Sequence, residues 1–379
     1  MTEANPTIQE KFASLEKEIN AATMERKDEV HGLMLAVLSK NHVFLLGPGG
    51  TAKSYLIDLL RKQVTGAKQF QRLMTRFTQP DEIFGPVKLS ALKEDKFERN
   101  TDGKLPDAHF AFLDEIWKAN SSIANSLLKI INEREFENNG TIMKVPLQTM
   151  LTASNELPGG EELDALYDRF LIKFVVGRVH EFDSFSNILK RNLPAPTTTV
   201  TLQELEQAQK DVEAVKLTDE VLKLMWQVRE KLEHEGIEPS DRRMQWAVRV
   251  IQAHAYLRGN TETSPDDIEV LCDILWDNPE HYALIRRIVM ELANPYLRQA
   301  EEFKDQAWAV WKAVQSTEDK KERLMVAAEE AKSLGDAKKE LEKLKDAMAG
   351  SGRDMEKVEK YIREVDEIRS KITKMMVPV

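Results

Sequence analysis

Eight consecutive residues, Gly47-Pro48-Gly49-Gly50-Thr51-Ala52-Lys53-Ser54, combine small, flexible positions with one lysine and one hydroxyl. They follow the apolar run Val43-Phe44-Leu45-Leu46 and lead into Tyr55-Leu56-Ile57-Asp58-Leu59-Leu60, an order that reads as buried strand, loop, helix. A loop of this shape aims several backbone N–H groups and a helix N-terminus at one point, where a phosphate chain is held. Lys53 would reach the β- and γ-phosphates and Ser54 would ligate Mg²⁺. The usual pattern has Gly before the lysine; here it is Ala52, with less backbone freedom. The plain alternative is a glycine-rich turn before a helix. Partner groups elsewhere in the chain decide between the two.

Hydrolysis of ATP needs a Mg²⁺ anchor, a water-activating group, a polar group near the γ-phosphate and positive charge for the transition state. The run Phe110-Ala111-Phe112-Leu113 leads directly into Asp114-Glu115. Carboxylates at a strand's C-terminal end fall on the sheet edge that also carries the phosphate loop. Asp114 suits the Mg²⁺ shell and Glu115 the attacking water; a solvent-exposed acidic turn is the alternative. Thr149–Ser154 reads as another strand and ends in Asn155, placed to bond the water or a γ-phosphate oxygen, or else simply to form a turn. Arg169 precedes a β-rich run and is the candidate arginine finger acting across a subunit boundary, with Arg134 a competitor. Arg242 and Arg243 open a helix further on and could reach phosphates from a lid. For each arginine a surface ion pair is the ordinary alternative.

The elements that must position these groups follow from periodicity. Residues 7–40 carry apolar side chains at helical spacing. Short runs at Val43–Leu46, Lys68–Phe70, Phe110–Leu113, Thr149–Ser154 and Phe170–Val176 alternate with helical stretches. Such alternation predicts a parallel sheet covered on both faces, an α/β architecture. Glu135–Val145 reads as a hairpin around Asn139-Gly140, and residues 87–109 as an inserted hairpin or loop. Asn192–Thr199, rich in Pro and Thr, marks a boundary. From Leu202 to about Leu292 the pattern is helical, with starts at Thr218-Asp219, Ser240-Asp241 and Ser264-Pro265-Asp266. Beyond Asn294-Pro295 the chain is charge-rich. Leu334, Leu341, Met348 and Met355, Val358, Ile362, Val365 mark two runs separated by Gly350-Ser351-Gly352, a helical hairpin packed on itself or on a helix around Trp308–Val314. The predicted division is 1–195, an αβα nucleotide-binding core; 200–294, a helical lid; and 295–379, a helical extension.

With 379 residues, 31% charged and 42% hydrophobic, the chain has material for two or three globular domains. A net charge of −10 does not favour non-specific binding to nucleic acid or to anionic membranes. Cys272 is the sole cysteine, so no disulfide forms within the chain and a reducing compartment fits. The polar start Met1–Pro6 and the lack of an apolar run near 18 residues predict a cytoplasmic protein without membrane insertion. His254 and His281, in helical stretches, read as ordinary residues and not as metal ligands.

The motifs together resemble the MoxR family of AAA+ ATPases, and within it the RavA-like regulatory ATPase subgroup. The matching strings are Phe44–Pro48 with Ala52-Lys53-Ser54, Leu73–Phe77, Glu82–Pro86, Phe112–Ala119, Ile131–Arg134, Ala153–Pro158, Ala165–Arg169 and Ser240–Arg243, in order between about residues 24 and 290. Ala before the phosphate-loop lysine is also a feature of that subgroup. The resemblance implies a Walker A loop at 47–54, Walker B carboxylates Asp114 and Glu115, and sensor 1 at Asn155. It further implies an arginine finger at Arg169 and sensor 2 at Arg242, with Arg243 as fallback. Met24-Glu25-Arg26 falls where relatives contact adenine. An αβα P-loop core, a four-helix lid and a hexameric homo-oligomeric ring with ATP and Mg²⁺ between subunits are also implied, with 87–109 and 135–145 facing the pore. RavA-like proteins carry a β-rich domain within their C-terminal bundle; here only Gly350-Ser351-Gly352 stands at that place, so partners of that domain are not expected.

The expected function is a ring-forming ATPase that remodels or activates a protein partner, by family analogy one with a von Willebrand factor A domain. A nucleic-acid-stimulated motor and an ATP-gated scaffold acting through its helical tail are the competing classes. The acidic balance counts against the first, and intact Glu115 and Arg169 against the second.

Overall fold

The computed structural model describes residues 6–190, 193–317, 319–350 and 355–376. Its contacts divide the chain into two compact units, Met1–Tyr282 and Ala283–Val379.

The first unit opens with two helices where periodicity gave one helical stretch. Helix α1 (Ile8–Ala21) starts on a capping box of Thr7 and Glu10 and buries Phe12, Leu15 and Ile19. Residues 22–26 interrupt the run, with Glu25 at φ 56°, before α2 (Lys27–Ser39), which is buried along most of its length. Next come β1 (Val43–Leu46), α3 (Lys53–Lys62), β2 (Val64–Thr65) and β3 (Gln69–Leu73), the last displaced C-terminally from the predicted Lys68–Phe70. Short helices α4 (Pro80–Phe84) and α5 (Leu89–Leu92) precede β4 (Phe110–Asp114). Residues 87–109 are thus an irregular insert, held by an antiparallel bridge between Val87 and Arg99 and by hydrogen bonds from the Phe97 and Arg99 N–H groups to the side chains of Asn139 and Asn138.

Helix α6 (Ser121–Glu133) is followed by the hairpin β5 (Glu135–Asn138) and β6 (Thr141–Lys144). Its two-residue turn puts Asn139 at φ 52° and Gly140 at φ 73°, the double left-handed geometry that an Asn-Gly pair adopts at least cost. Strand β7 (Thr149–Ser154) is buried throughout. Helix α7 (Glu161–Tyr167) leads to β8 (Ile172–Val175), trimmed at its start because Phe170 turns back to bond the Tyr167 carbonyl.

Five strands form one parallel sheet in the order β3-β4-β7-β1-β8. Its aromatic centre is Phe44, with ring centroids 5.2 Å from Trp117 and 5.5 Å from Tyr167. Burial of such side chains supplies much of the driving force for the fold.

After α8 (Phe182–Lys190) the predicted linker begins at Asn192, outside the described residues; 193–199 carry no regular structure. The stretch is nonetheless tied down. Glu18 accepts hydrogen bonds from the N–H groups of Thr197 (2.6 Å) and Thr198 (2.8 Å) and the Thr198 hydroxyl (2.7 Å), which hold its pKa down to about 2. Strand β9 (Val200–Thr201) then pairs with β2, an element that sequence reading did not supply. Helices α9 (Leu202–Ala214), α10 (Asp219–His234) and α11 (Asp241–Leu257) follow, with Thr201, Thr218 and Ser240 as side-chain N-caps. Ser264 also caps a helix, but Pro265–Asp273 is 3-10, as is Pro279–His281.

The second unit takes in most of α12 (Tyr282–Ala293) and the helices α13 (Pro295–Ser316), α14 (Lys320–Gly350) and α15 (Glu356–Met376). The last three pack pairwise on one another. Leu334, Leu341 and Met348 on α14 and Val358, Val365 and Ile372 on α15 are buried at seven-residue spacing, the seam of a helical bundle. Ser351 and Gly352 lie outside the described residues. No helix among the described residues is long and apolar enough to cross a membrane.

Candidate functional site

Strand order and register gather the chemistry. Because β7 lies between β4 and β1 and pairs Asp114 with Ala153 and Leu46 with Ser154, residues Glu115, Asn155 and Gly47 leave three adjacent strands at one edge. The loop 47–52 closes over that edge. Gly47 sits against β8's exit, and a Cβ there would meet the Val176 carbonyl oxygen at 2.2 Å. Gly50 (φ 81°) and Ala52 (φ 65°) both take left-handed backbone, so Ala52 occupies the conformation that glycine accepts more readily.

Lys53 begins α3 and is buried, its ammonium donating to the carbonyls of Gly47 (2.6 Å) and Pro48 (2.9 Å). Burial pulls its pKa below the ordinary lysine value, against the opposing pull of Asp114 and Glu115. Ser54 Oγ faces Asp114 Oδ2 at 3.4 Å. Burial, with Glu115 adding like charge, pushes the Asp114 carboxyl up; the Glu115 N–H, Lys53 and Ser54 work against that. Glu115 has φ 53° and ψ 44°, a left-handed conformation costly for a residue with a Cβ. That backbone turns its carboxylate toward β7, where it takes a 3.5 Å contact from Ser154 Oγ, and Lys118 pairs with it at 3.3 Å. Asn155 is exposed immediately beyond.

This donor set fits Mg²⁺. Two adjacent vertices of an octahedron with bonds of about 2.0–2.1 Å stand roughly 2.9 Å apart, near the Ser54–Asp114 separation of 3.4 Å. A half-buried carboxylate with a raised pKa gains from a cation beside it.

Met24 is half-buried, and the segment around it adjoins the phosphate loop through a residue whose role sequence reasoning did not identify. Arg26 donates to the carbonyls of Thr51 (3.5 Å), Gly177 and Glu25 (2.7 Å), while Glu25 accepts from the N–H groups of His180 and Glu181.

The remaining candidates gather elsewhere. Arg169 precedes β8, so it lies at the N-terminal edge of a sheet whose C-terminal edge carries the loop. It donates to Asp168 at 2.7 Å and faces the Trp246 ring at 5.9 Å. Arg242 and Arg243, at the start of α11, converge on the same Asp168, at 3.5 and 2.9 Å. Arg243 is only 5% exposed and is gripped also by Asp277, whereas Arg242 is half-exposed. No hydrogen bond or ion pair among the described residues joins this cluster to Lys53, Ser54, Asp114 or Glu115. Asp168 and Asp277 were not foreseen: an acidic residue beside an arginine carries no long-range signal in sequence.

Arg134 stands apart from both groups. At the C-terminus of α6 with φ 55°, it donates to the carbonyls of Ile131 (2.9 Å) and Lys40 (2.8 Å) and lies against His42. Burial lowers its pKa to about 10.

Known proteins agree with this architecture. A model described as the MoxR domain in the MoxR-vWA-beta-propeller ternary systems matches residues 10–217, and an AAA lid domain model matches 220–289. An uncharacterised protein of Methanocaldococcus jannaschii is 38% identical over 294 residues, 77% of each chain. The chaperone MoxR1 of Mycobacterium tuberculosis is 29% identical over 153 residues, 39% of each chain. A crystal structure of a candidate ATPase from Cytophaga hutchinsonii shares the fold at TM-score 0.61 and 18% identity, covering 75% of this chain and 94% of its own. A parallel αβα core, the adjoining helical lid and a family match over more than half its length make this chain a member of the MoxR-domain family of AAA+ ATPases.

Proposed function

We propose that this chain is a ring-forming ATPase that couples ATP hydrolysis to the remodelling or activation of a protein partner. One observation carries the reading: the candidate groups are divided between two edges of one sheet. Lys53, Ser54, Asp114 and Glu115 stand at the C-terminal edge, and Arg169 at the N-terminal edge. The four residues of β1 between them span about 13 Å. An arginine so placed serves a neighbour's site better than its own, and one supplied in trans is worth roughly 10³–10⁵ in turnover.

In this reading the loop's N–H groups and the start of α3 cradle the phosphates, and Lys53 neutralises them. Ser54 and Asp114 hold Mg²⁺, whose charge offsets that of the phosphates. Glu115 takes the proton of the attacking water, and Asn155 orients that water or a γ-phosphate oxygen. Arg169 of one protomer stabilises the charge developing on the next. Arg242 serves as sensor 2, its half-exposed guanidinium being freer to move than the clamped Arg243. Met24 lies toward the adenine.

Residues 1–195, 200–294 and 295–379 are proposed as core, lid and extension. The RavA-like subgroup remains the preferred placement, on the strength of Ala52 before Lys53. The naming of the matched family model after MoxR-vWA systems supports a partner with a von Willebrand factor A domain.

The test is turnover and ATP binding measured on assembled protein. Glu115→Gln should bind ATP, keep its assembly and fail to turn over; Arg169→Ala should bind normally and hydrolyse poorly. Mixing the two variants should restore turnover, since some interfaces then join an intact Glu115 to an intact Arg169. Unchanged turnover in assembled Arg169→Ala would overturn the trans assignment. Glu115→Gln used as a trap should capture the client.

A further inference from the structure

The carboxylate of Asp168 is shared among three guanidinium groups. Its Oδ2 accepts from Arg169 at 2.7 Å and from Arg242 at 3.5 Å, and its Oδ1 from Arg243 at 2.9 Å. Asp277 grips Arg243 through two 2.7 Å bonds and accepts at 3.1 Å from Lys173, which is wholly buried in β8. The indole of Trp246, on the same helix as Arg243, faces the Arg169 guanidinium. Two carboxylates therefore answer four cations, and the arrangement joins the residue before β8 to the start of α11.

We propose that Asp168 is a positioning residue that sets the pose of Arg169 and makes its availability depend on Arg243. The inference rests on the trans reading of Arg169 and adds a group that never touches the nucleotide. A carboxylate paired only with Arg169 would hold it back from a phosphate. A carboxylate also neutralised by Arg243 holds Arg169 in place while leaving its charge available, because each bond to a shared acceptor weakens the others. With Arg243 in place, Arg169 is oriented and ready. With Arg243 withdrawn, the charge of Asp168 falls chiefly on Arg169, at 2.7 Å, and only weakly on Arg242, at 3.5 Å. The position of α11 is thereby read out at an arginine that acts on the next protomer.

The experiment compares kcat and KM for ATP in assembled protein. Asp168→Asn is expected to lower kcat by about 10- to 100-fold through loss of orientation, with KM little changed. Asp168→Glu should recover much of that loss. In an Arg169→Ala background, Asp168→Asn should add nothing, because the residue it positions is already gone. Arg243→Gln supplies an independent check: alone it leaves Arg169 captured, so adding Asp168→Asn should make it faster, not slower. Multiplicative losses in both double variants, or full kcat in Asp168→Asn, would overturn the inference while leaving the Arg169 assignment standing. Full kcat in Arg169→Ala would instead remove the reading beneath it. Should Asp168→Asn fail to fold alone, Asp168→Glu combined with Arg243→Gln decides: a kcat equal to the parent's, with a carboxylate still facing Arg169 and Arg243 gone, would overturn the inference.

Discussion

Ser54 Oγ and Asp114 Oδ2 face each other at 3.4 Å, one at the start of α3 and the other at the end of β4. The pairing closes sixty residues of chain onto one point and leaves both oxygens near the separation of neighbouring ligands around a small cation. Asp114→Asn and Ser54→Ala should each bind nucleotide as the parent does without divalent ion, and each should lose the tightening that Mg²⁺ brings. Nucleotide titrations with and without Mg²⁺ check this. Equal Mg²⁺ responses in parent and variants would remove the pair from the metal site.

Much of this edge was legible in sequence because it is local. The apolar run before Gly47, the helix after Lys53 and the strand ending in Asp114-Glu115 each declare themselves within ten residues. Thr218, Ser240 and Asn139-Gly140 did the same for two helix starts and a turn. What remained hidden depends on distant residues. The left-handed backbone of Glu115, the bond from Arg26 to Thr51 and the joining of Asp168 to Arg243 follow from tertiary packing, for which one sequence offers no periodicity. The β2–β9 pair is two residues long and links segments 136 positions apart, too short for any pattern.

Ala52 allows a test of backbone strain free of catalysis. At φ 65° a β-branched side chain should cost about 1–2 kcal/mol more than alanine, and glycine should be equal or better. Chemical denaturation should therefore rank Ala52→Gly at or above the parent, with Ala52→Val below both. Ordinary helix propensity predicts a different order, with glycine at the bottom, so the ranking alone separates the two causes.

Arg134 was the rival for the trans role, and its contacts suggest a different consequence of removing it. Its guanidinium satisfies the carbonyls of Ile131 and Lys40, tying the end of α6 to the turn before β1. Arg134→Ala leaves those acceptors short of donors, at a cost of about 2–3 kcal/mol. The expected result is a lowered Tm with turnover per folded molecule retained. Normal stability with lost turnover would point to a catalytic role instead.

Lys173 makes the charge network sensitive to alkali in an unusual direction. Burial, with Arg243 adding like charge, lowers its pKa to about 8 from the 10.5 of an exposed lysine, although Asp277 and Asp168 pull the other way. The folded chain thus releases this proton near pH 8, while the unfolded chain keeps it to about 10.5. Between those values the unfolded state binds more protons, so the Lys173 contribution to stability rises with pH. It is complete above about 10.5 and is lost as pH falls through 8. Lys173→Met removes that dependence while leaving Asp277 paired with Arg243. At pH 7 the variant should be as stable as the parent or more so, since a buried ion is replaced by an apolar chain of similar length. Its advantage should then shrink as pH rises from 8 to 10. The comparison must be a difference between the two proteins, because Tyr167 and Tyr256, both with raised pKa values, titrate in the opposite sense in alkali. A parent that is more stable at pH 7 and converges on the variant in alkali would mean that the ion pair to Asp277 outweighs the burial of the ammonium.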